Sequence, residues 1–589
     1  MADEFEPGDI VYAGYPTAHV HTIGRNSRTK KLTLTRAKHL LWGDWVSVTG
    51  YDFVAEGDGA HLKPPLDPAE HGEVGALVAG MVPVRVRGVS GYMYPEDLQP
   101  ERLLEVVFVD VGQGDGALLV TPDDKKYVID AGEGENMYRY LRWRFRNFEH
   151  AHTDFDGLII THPDMDHYEG FRRLFEDGAV QASHIWHNGL VEQFGVSSDG
   201  DQLTSKELLL GKRKTSAGQS YVVDLVTDDA KLGALLADRN RWVKKSTGNA
   251  KKYPGLLDTA RASVDENGNR RFPDIAMLST AHGEISGGRS YLPGFAPGNA
   301  TECVIEVVGP VVEPAADGTP RLRTFAGEPA ARTDKMDSGK TKNGHSVLLR
   351  LVYRDVSLLF GGDLNSPAEC FLMTLAAGGG FVEPATADDA TRAAVRQAVG
   401  DRFGADVVKA CHHGSADFTD LFLSGISPAA TVISSGDEET HAHPRCDTLG
   451  AIGLHGRGER PLIFSTELSR STLEFTRRED TPWYQAAKLR GKLSGVTDPA
   501  ERSTLETEIA RLEEDEKKTN VTVYGSINLR SDGRKIVLAY MLEKPSNSRR
   551  WDVYPLEKDM ISGRLTYLEK SLAEKAEAKR RKAAADNGG

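Results

Sequence analysis

The sequence predicts an α/β protein in which strands and helices stack in layers. Three observations carry this. From 103 to 161 four apolar, β-branched strands follow one another through glycine turns: Leu104 to Val111, Ala117 to Thr121, Lys126 to Asp130, and DGLIIT at 156–161. Further strands recur downstream, at Val347 to Tyr353, Val356 to Phe360, Val407 to Cys411 and Val432 to Gly436. Beyond Trp483 the text turns helical and charged. A chain of 589 residues holds about two to four domains. We divide it into 1–95, 103–475 and 476–589.

Residues 1–95 read as short strands. Asp9 to Ala13, Lys31 to Thr35 and Asp44 to Val48 alternate or are β-branched between glycine turns, which predicts a small SH3-like or OB-like β-barrel. Arg25, Arg28, Lys30, Lys31, Arg36 and Lys38 cluster near Trp42 and Trp45. Basic and aromatic residues on a barrel can form a single-strand groove; a solvated hairpin over a tryptophan core is the favoured reading. Ala55 to Gly72 reads as a loop rich in Gly and Pro.

Residues 190–300 read as a polar surface insertion with some helix, from about Ala230 to Lys245, and with basic clusters at Lys212–Lys214 and Lys244–Lys252. Further on, Asp498-Pro499 starts the second helix of a helical hairpin. Its LETEIARL stretch can fold back on the hairpin or pair with another chain, the first being favoured. Val521 to Leu529 and Lys535 to Leu542 read as strands joined at Ser531-Asp532-Gly533. A charged helix is expected over 560–587.

Composition narrows the classes. Hydrophobic residues at 39% and charged residues at 27% are ordinary for a soluble globular protein. No apolar run reaches the length of a membrane span, and the acidic start MADEFEPGDI has no signal core. Four scattered cysteines without a CxxC pair suit a reducing cytoplasm. The net charge of −14 opposes global attraction to nucleic acid or anionic membrane, but leaves room for local basic tracks.

The strongest chemical signal is Thr161-His162-Pro163-Asp164-Met165-Asp166-His167, directly after an apolar strand. Two imidazoles and two hard carboxylates within six residues form a metal-ligand set. Downstream lie Asn343-Gly344-His345 before a strand, Gly361-Gly362-Asp363 after the next one, and Cys411-His412-His413-Gly414-Ser415 after another. His441 and His443-Pro444 close the series.

This order resembles the metallo-β-lactamase superfamily, with HxDxDH in place of HxHxDH. The resemblance implies an αββα sandwich, here flanked by the N-terminal barrel and a C-terminal α+β extension. A narrower similarity is to the hydrolase domain of the ComEC/Rec2 DNA-uptake proteins. It rests on Asp110-Val111-Gly112-Gln113-Gly114-Asp115, on HxDxDH, on His412-His413-Gly414-Ser415, and on Ser434-Ser435-Gly436 followed by His443-Pro444. Those proteins carry a membrane channel, and this sequence has no segment for one. That family often has an asparagine block where this chain has Asn343-Gly344-His345.

The resemblance implies two divalent cations, zinc or manganese, with magnesium as a third candidate. One would be held by His162, Asp164 and His345. The other would be held by Asp166, His167 and either His443 or His413, with Asp363 bridging. Asp130 supports the site, and His412 or His413 donates a proton to the leaving group. Asp110, Gln113, Asp115 and Ser415 are expected at the substrate, although the glycine loop also reads as a plain tight turn. The implied activity is phosphodiester hydrolysis, with DNA favoured over RNA, nucleotide signals and small esters. A partner-binding scaffold with a vestigial site, using the C-terminal helices, is the reading from another class.

Overall fold

The computed structural model describes residues 5–25, 31–49, 76–145, 153–197, 199, 201–203, 208–326, 336–380, 383–436, 441–471, 482–493, 495–496, 498–518, 521–559 and 562–567. The protein is α/β and is organised on two large mixed sheets. The first runs, edge to edge, through Asp274–Met277, His184–His187, Gly157–Ile160, Lys126–Ala131, Gly116–Val120, Leu104–Phe108, Ile527–Ser531, Ile536–Met541, Trp551–Lys558 and Leu565–Tyr567. The second runs through Glu284–Ser286, Arg289–Tyr291, Cys303–Gly309, Leu348–Tyr353, Val356–Phe360, Val407–Lys409, Ala430–Ile433 and Leu462–Ser465.

Strand periodicity explains how these sheets pack. In Gly157–Ile160, Leu158 and Ile160 face one cluster while Ile159 faces another. In Val407–Lys409, Val407 and Val408 divide the same way. Successive side chains point to opposite faces, so each strand feeds two cores. One cluster joins the inner faces of both sheets, through Phe108, Ile159, Leu351, Phe360 and Val432. Outside the first sheet pack the helices Asn136–Arg144, Phe171–Glu176, Asp229–Ala237 and Lys252–Ala262. Outside the second pack Ser366–Ala376, Asp389–Phe403 and Asp420–Ile426.

Two expectations change. The C-terminal strands are not an appended extension: Ile527–Ser531 pairs antiparallel with Leu104–Phe108 and continues the first sheet. Its residues Ile527 and Leu529 are fully buried in the shared core, which the sequence-local hairpin signal does not reveal. Nor is 190–300 a surface insertion. Leu232, Leu236, Trp242, Tyr253 and Leu257 enter the first outer core, and Asp274–Met277 is a parallel edge strand. The helix there stops at Ala237 because Asp228 caps its start and Asp238 caps a separate 3₁₀ turn, Arg239–Arg241.

The N-terminal strands form one seven-stranded sheet around a core of Val11, Val20, Val46 and Val84. Among the described residues its end strands, Leu32–Leu41 and Leu98–Gln99, do not pair with each other, so no ladder closes a barrel. Trp42 is core, edge-on to Tyr15, whereas Trp45 is exposed. Arg28, Lys30 and the expected loop from Ala55 to Gly72 lie outside the described residues.

Further along, Val521–Tyr524 is a helical turn rather than the start of a strand, held by the Ser526 hydroxyl donating to the Thr522 carbonyl. Helices Pro482–Leu493 and Pro499–Lys518 pack on each other through Ala486, Ile509 and Leu512, so LETEIARL folds back on its own hairpin. Asp498 Oδ1 accepts from the Ala500 and Glu501 amides at the start of the second helix. Most of the expected 560–587 helix lies outside the described residues. Among the described residues no helix is long and apolar enough to cross a membrane.

Candidate metal centre

In both large sheets the parallel strands end at the same place. His162 follows Gly157–Ile160, Asp363 follows Val356–Phe360, and His412 and His413 follow Val407–Lys409. Crevices at the carboxyl ends of parallel strands are where α/β sheets bind ligands. Here the ends of two sheets meet over one buried pocket of polar side chains.

Asp363 is the centre. Its Oδ2 lies 3.2 Å from His167 Nε2, 3.3 Å from His413 Nε2, and 3.9 Å from the Nε2 atoms of both His162 and His412. Asp166 joins from the side, at 3.5 Å from His413 Nε2 and 3.9 Å from His167 Nε2. The Nε2 atoms of His162, His167 and His413 are buried without a hydrogen-bond partner, as is Asp363 Oδ1.

Each of these three rings is held by its other nitrogen. His167 Nδ1 lies 2.8 Å from Asp130 Oδ2, and the same carboxylate accepts from Thr161 N and Oγ1 at 2.8 and 2.7 Å. His413 Nδ1 lies 3.2 Å from the Ser434 carbonyl and 3.1 Å from Asp115 Oδ1. His162 Nδ1 is flanked by the hydroxyls of Thr161 and Ser346 at 3.1 and 3.3 Å. Orienting partners on Nδ1 with Nε2 left free is the arrangement of metal-binding histidines. Buried polar atoms without a partner are otherwise costly. These buried His and Asp groups can hold a metal ion.

The backbone carries strain at the same point. His412 and His413 are consecutive non-glycine residues in the left-handed region, with φ of 50° and 53°, a conformation that costs about 1–2 kcal/mol per residue. Such outliers concentrate at functional sites. The glycine loop closes the pocket from another side. Gly114 has a φ of +102°, and a Cβ there would come within 1.7 Å of the Asp166 carbonyl oxygen, so only glycine lets the loop lie against the ligand motif.

The electrostatics are those of a dense charge cluster. Burial alone would push each group toward its neutral form, but opposite charges outweigh it. His167 and His413 are raised well above the usual imidazole range by Asp363 and by Asp130 and Asp115 respectively. Asp363 is held well below the carboxylate range by His167 and His413, and Asp164 is held at about 2 by His162 and Lys342.

The structure divides the expected site residues. His162, Asp166, His167, Asp363 and His413 converge, with Asp130 and Asp115 behind them. Of the two candidates for the last histidine, His413 is in the cluster. His443 sits on its rim, its ring 6.2 Å from that of His413 and 5.6 Å from that of His412. His345, expected as a ligand, is turned away: its Nε2 lies 2.7 Å from the Arg323 carbonyl and its ring packs on Phe325. Asn343 takes the near side: turned so that its nitrogen faces the carboxylate, its side-chain amide donates to Asp164 Oδ2 at 2.8 Å.

The expected substrate residues separate too. Asp110 does not face the pocket. It is fully buried against the Arg470 guanidinium and accepts from the Gly112 amide. Gln113 is half-buried on the loop, and its carbonyl accepts from the Glu133 amide. Ser415 Oγ accepts from the Asp417 amide, a local turn contact.

Sequence reasoning missed two lysines. Lys409 is buried, paired with Asp115, and donates to the Gly362 carbonyl. Lys342 pairs with Asp164 and, at 3.0 Å, with Glu192. The first had a signal: a lysine closing an otherwise apolar strand on the face of Val407 must be neutralised by a buried acid.

No family model matches the sequence, and no curated protein matches it.

Proposed function

We propose that this chain is a metal-dependent phosphodiesterase of the metallo-β-lactamase type, resembling the ComEC/Rec2 hydrolase domain, with DNA as its favoured substrate. The observation that carries the reading is the convergence of four imidazole Nε2 atoms on Asp363 Oδ2, three of them buried and without a hydrogen-bond partner. The order of motifs along the chain, and two sheets sharing a core with helices outside each, support it as an αββα sandwich.

In this reading Asp166, His167 and His413 would hold one cation, His162 and Asp164 would hold the other, and Asp363 would be available to both. Carboxylates at Asp164 and Asp166 favour manganese alongside zinc. When bound, the cations supply a water whose pKa falls from ~15.7 toward ~7 and neutralise charge on the phosphoryl group. Asp130, Ser434 and Asp115 fix the imidazoles that hold them. His412, whose side chain is 26% exposed, is the histidine at the mouth that can pass a proton to the leaving oxygen.

A polyanionic substrate is favoured by the lysines beside the motif. Lys252 Nζ lies 2.9 Å from Met165 Sδ, between the two motif aspartates in sequence, and Lys251 Nζ lies 4.9 Å from the Phe194 ring centre. These two lysines bring positive charge to one flank.

The test is cleavage of labelled single- and double-stranded DNA and RNA with Mn²⁺, Mg²⁺ or Zn²⁺, using Asp164→Ala/His167→Ala as the control. We expect metal-dependent cutting of DNA that the double variant loses. Bound metal with no polymer cut moves the substrate to nucleotides or small esters, and no bound metal moves the reading to a scaffold.

A further inference from the structure

The two halves of the cluster are not electrostatically equivalent. Among the described residues every group of three or more potential ligands is built from His162, His167, His413, Asp115, Asp130, Asp166 and Asp363, and none includes Asp164. Asp164 is paired instead with a protein cation, the Lys342 ammonium on Oδ1, while its Oδ2 lies 3.6 Å from His162 Nε2. Lys342 is itself largely enclosed, its side chain 12% exposed, and is steadied by Glu192. On the other side, the carboxylate contacts of Asp166 are with imidazoles alone. The buried Lys409 there is spent on Asp115 and stays 4.0 Å from Asp363.

We propose that Lys342 acts as a built-in counter-cation on Asp164, so that the two metal positions fill in sequence: the Asp166–His167–His413 position first and tightly, the His162–Asp164 position second and weakly. The inference rests on the metal-hydrolase reading above. A divalent ion arriving at Asp164 meets a positive charge already paired with its ligand, and must displace it toward Glu192. At contact distance in a partly buried site, such a like charge weakens binding by more than tenfold. The same displacement leaves the Lys342 ammonium beside the second cation, within reach of a substrate phosphate.

The measurement is equilibrium dialysis of the full, chelator-stripped chain against Mn²⁺ alone, with thermal melts to establish that each variant is folded. Wild type is expected to bind one equivalent at least about tenfold more tightly than a second. Lys342→Met should tighten the second equivalent to near the first. Glu192→Gln, which leaves Lys342 wholly to Asp164, should weaken the second further and not alter the first. Two equally tight equivalents in wild type, or a second equivalent indifferent to both substitutions, overturn the inference while leaving the hydrolase reading intact. If no Mn²⁺ binds, both fall together.

Discussion

Two aspartates of one loop, Asp110 and Asp115, stand five residues apart and are both buried, yet they belong to different kinds of charge centre. Asp110 is paired with the Arg470 guanidinium, and both side chains are essentially sealed, at 0% and 1% exposure. Asp115 opens onto the Asp363 cluster, where the Nε2 atoms of His162, His167 and His413 and Oδ1 of Asp363 are among the buried atoms without a hydrogen-bond partner. A closed ion pair needs nothing more. An open cluster is stable only if something else completes it. The difference teaches that burial and charge alone do not mark a site; the convergence of several atoms that lack partners does.

The sharpest way to break the comparison is at its open centre. Asp363→Asn removes the carboxylate on which the imidazoles converge. Changing a residue that merely orients a metal ligand costs about 10- to 100-fold in affinity, so this change should cost roughly 100-fold or more. Isothermal titration with Mn²⁺ measures it. The metal-free variant also loses the Asp363 pairing with His167 and His413, so its melt, run beside the titration, separates lost stability from lost affinity. Retained Mn²⁺ affinity would falsify the assignment of Asp363 as the common ligand.

At the closed centre the signs reverse. Arg470→Met removes the guanidinium paired with Asp110 and should lower stability by up to about 3–5 kcal/mol, the cost of breaking a buried ion pair from one side. Mn²⁺ affinity of the remaining folded protein should hold. Denaturant melts and titration on the same sample separate the two effects, and a variant that loses metal before it loses stability would place Asp110 with the site after all.

How much of this was legible in the sequence follows from the same contrast. His162 to His167 were legible because a contiguous motif after a buried strand brings its own geometry. His412 and His413 were legible for the same reason. His345 misled because two positions in the short helix Ser338–Gly344 and its cap differ by about 200° around the axis, so Asn343 and His345 cannot both face Asp164. The C-terminal strands and Arg470 were illegible because their partners, Leu104–Phe108 and Asp110, lie hundreds of residues earlier. Periodicity records which face is apolar, not which distant strand covers it.

A third buried carboxyl lies between the two kinds. Glu369 is 2% exposed and accepts from Thr419 N and Oγ1 at 2.6 and 2.8 Å, with no cation paired to it among the described residues. Burial first, then Asp417 and Asp420, push it up to about 8 against those two bonds. The folded protein therefore keeps this proton where the unfolded chain, at the ordinary value of 4.5, has released it. Its contribution to stability is full below 4.5 and is lost as pH rises toward 8. Glu369→Gln should leave stability at pH 4 nearly unchanged and raise it at pH 8.5 by about 2–4 kcal/mol, after allowance for relaxation of the site. Melting curves across that range test it, and parallel wild-type and variant profiles would refute it.

The smallest effect should come from the histidine that looks most like a ligand on paper. His345 is as buried as His167, at 1% exposure, but its Nε2 already has the Arg323 carbonyl. Burial holds it down at about 4, so it is neutral and its Nε2 carries the proton it donates there. His345→Gln keeps a donor of similar reach and should leave Mn²⁺ affinity within about twofold, with stability lowered by about 1 kcal/mol, the net worth of one buried hydrogen bond. His162→Gln, measured beside it, removes a nitrogen that has no other partner and should lose the second Mn²⁺ equivalent while the first and the fold hold. If the two substitutions cost the same affinity, the distinction between partnered and unpartnered histidines fails as a guide to this site. If they part as expected, the ligand set is defined by the atoms the fold leaves unsatisfied.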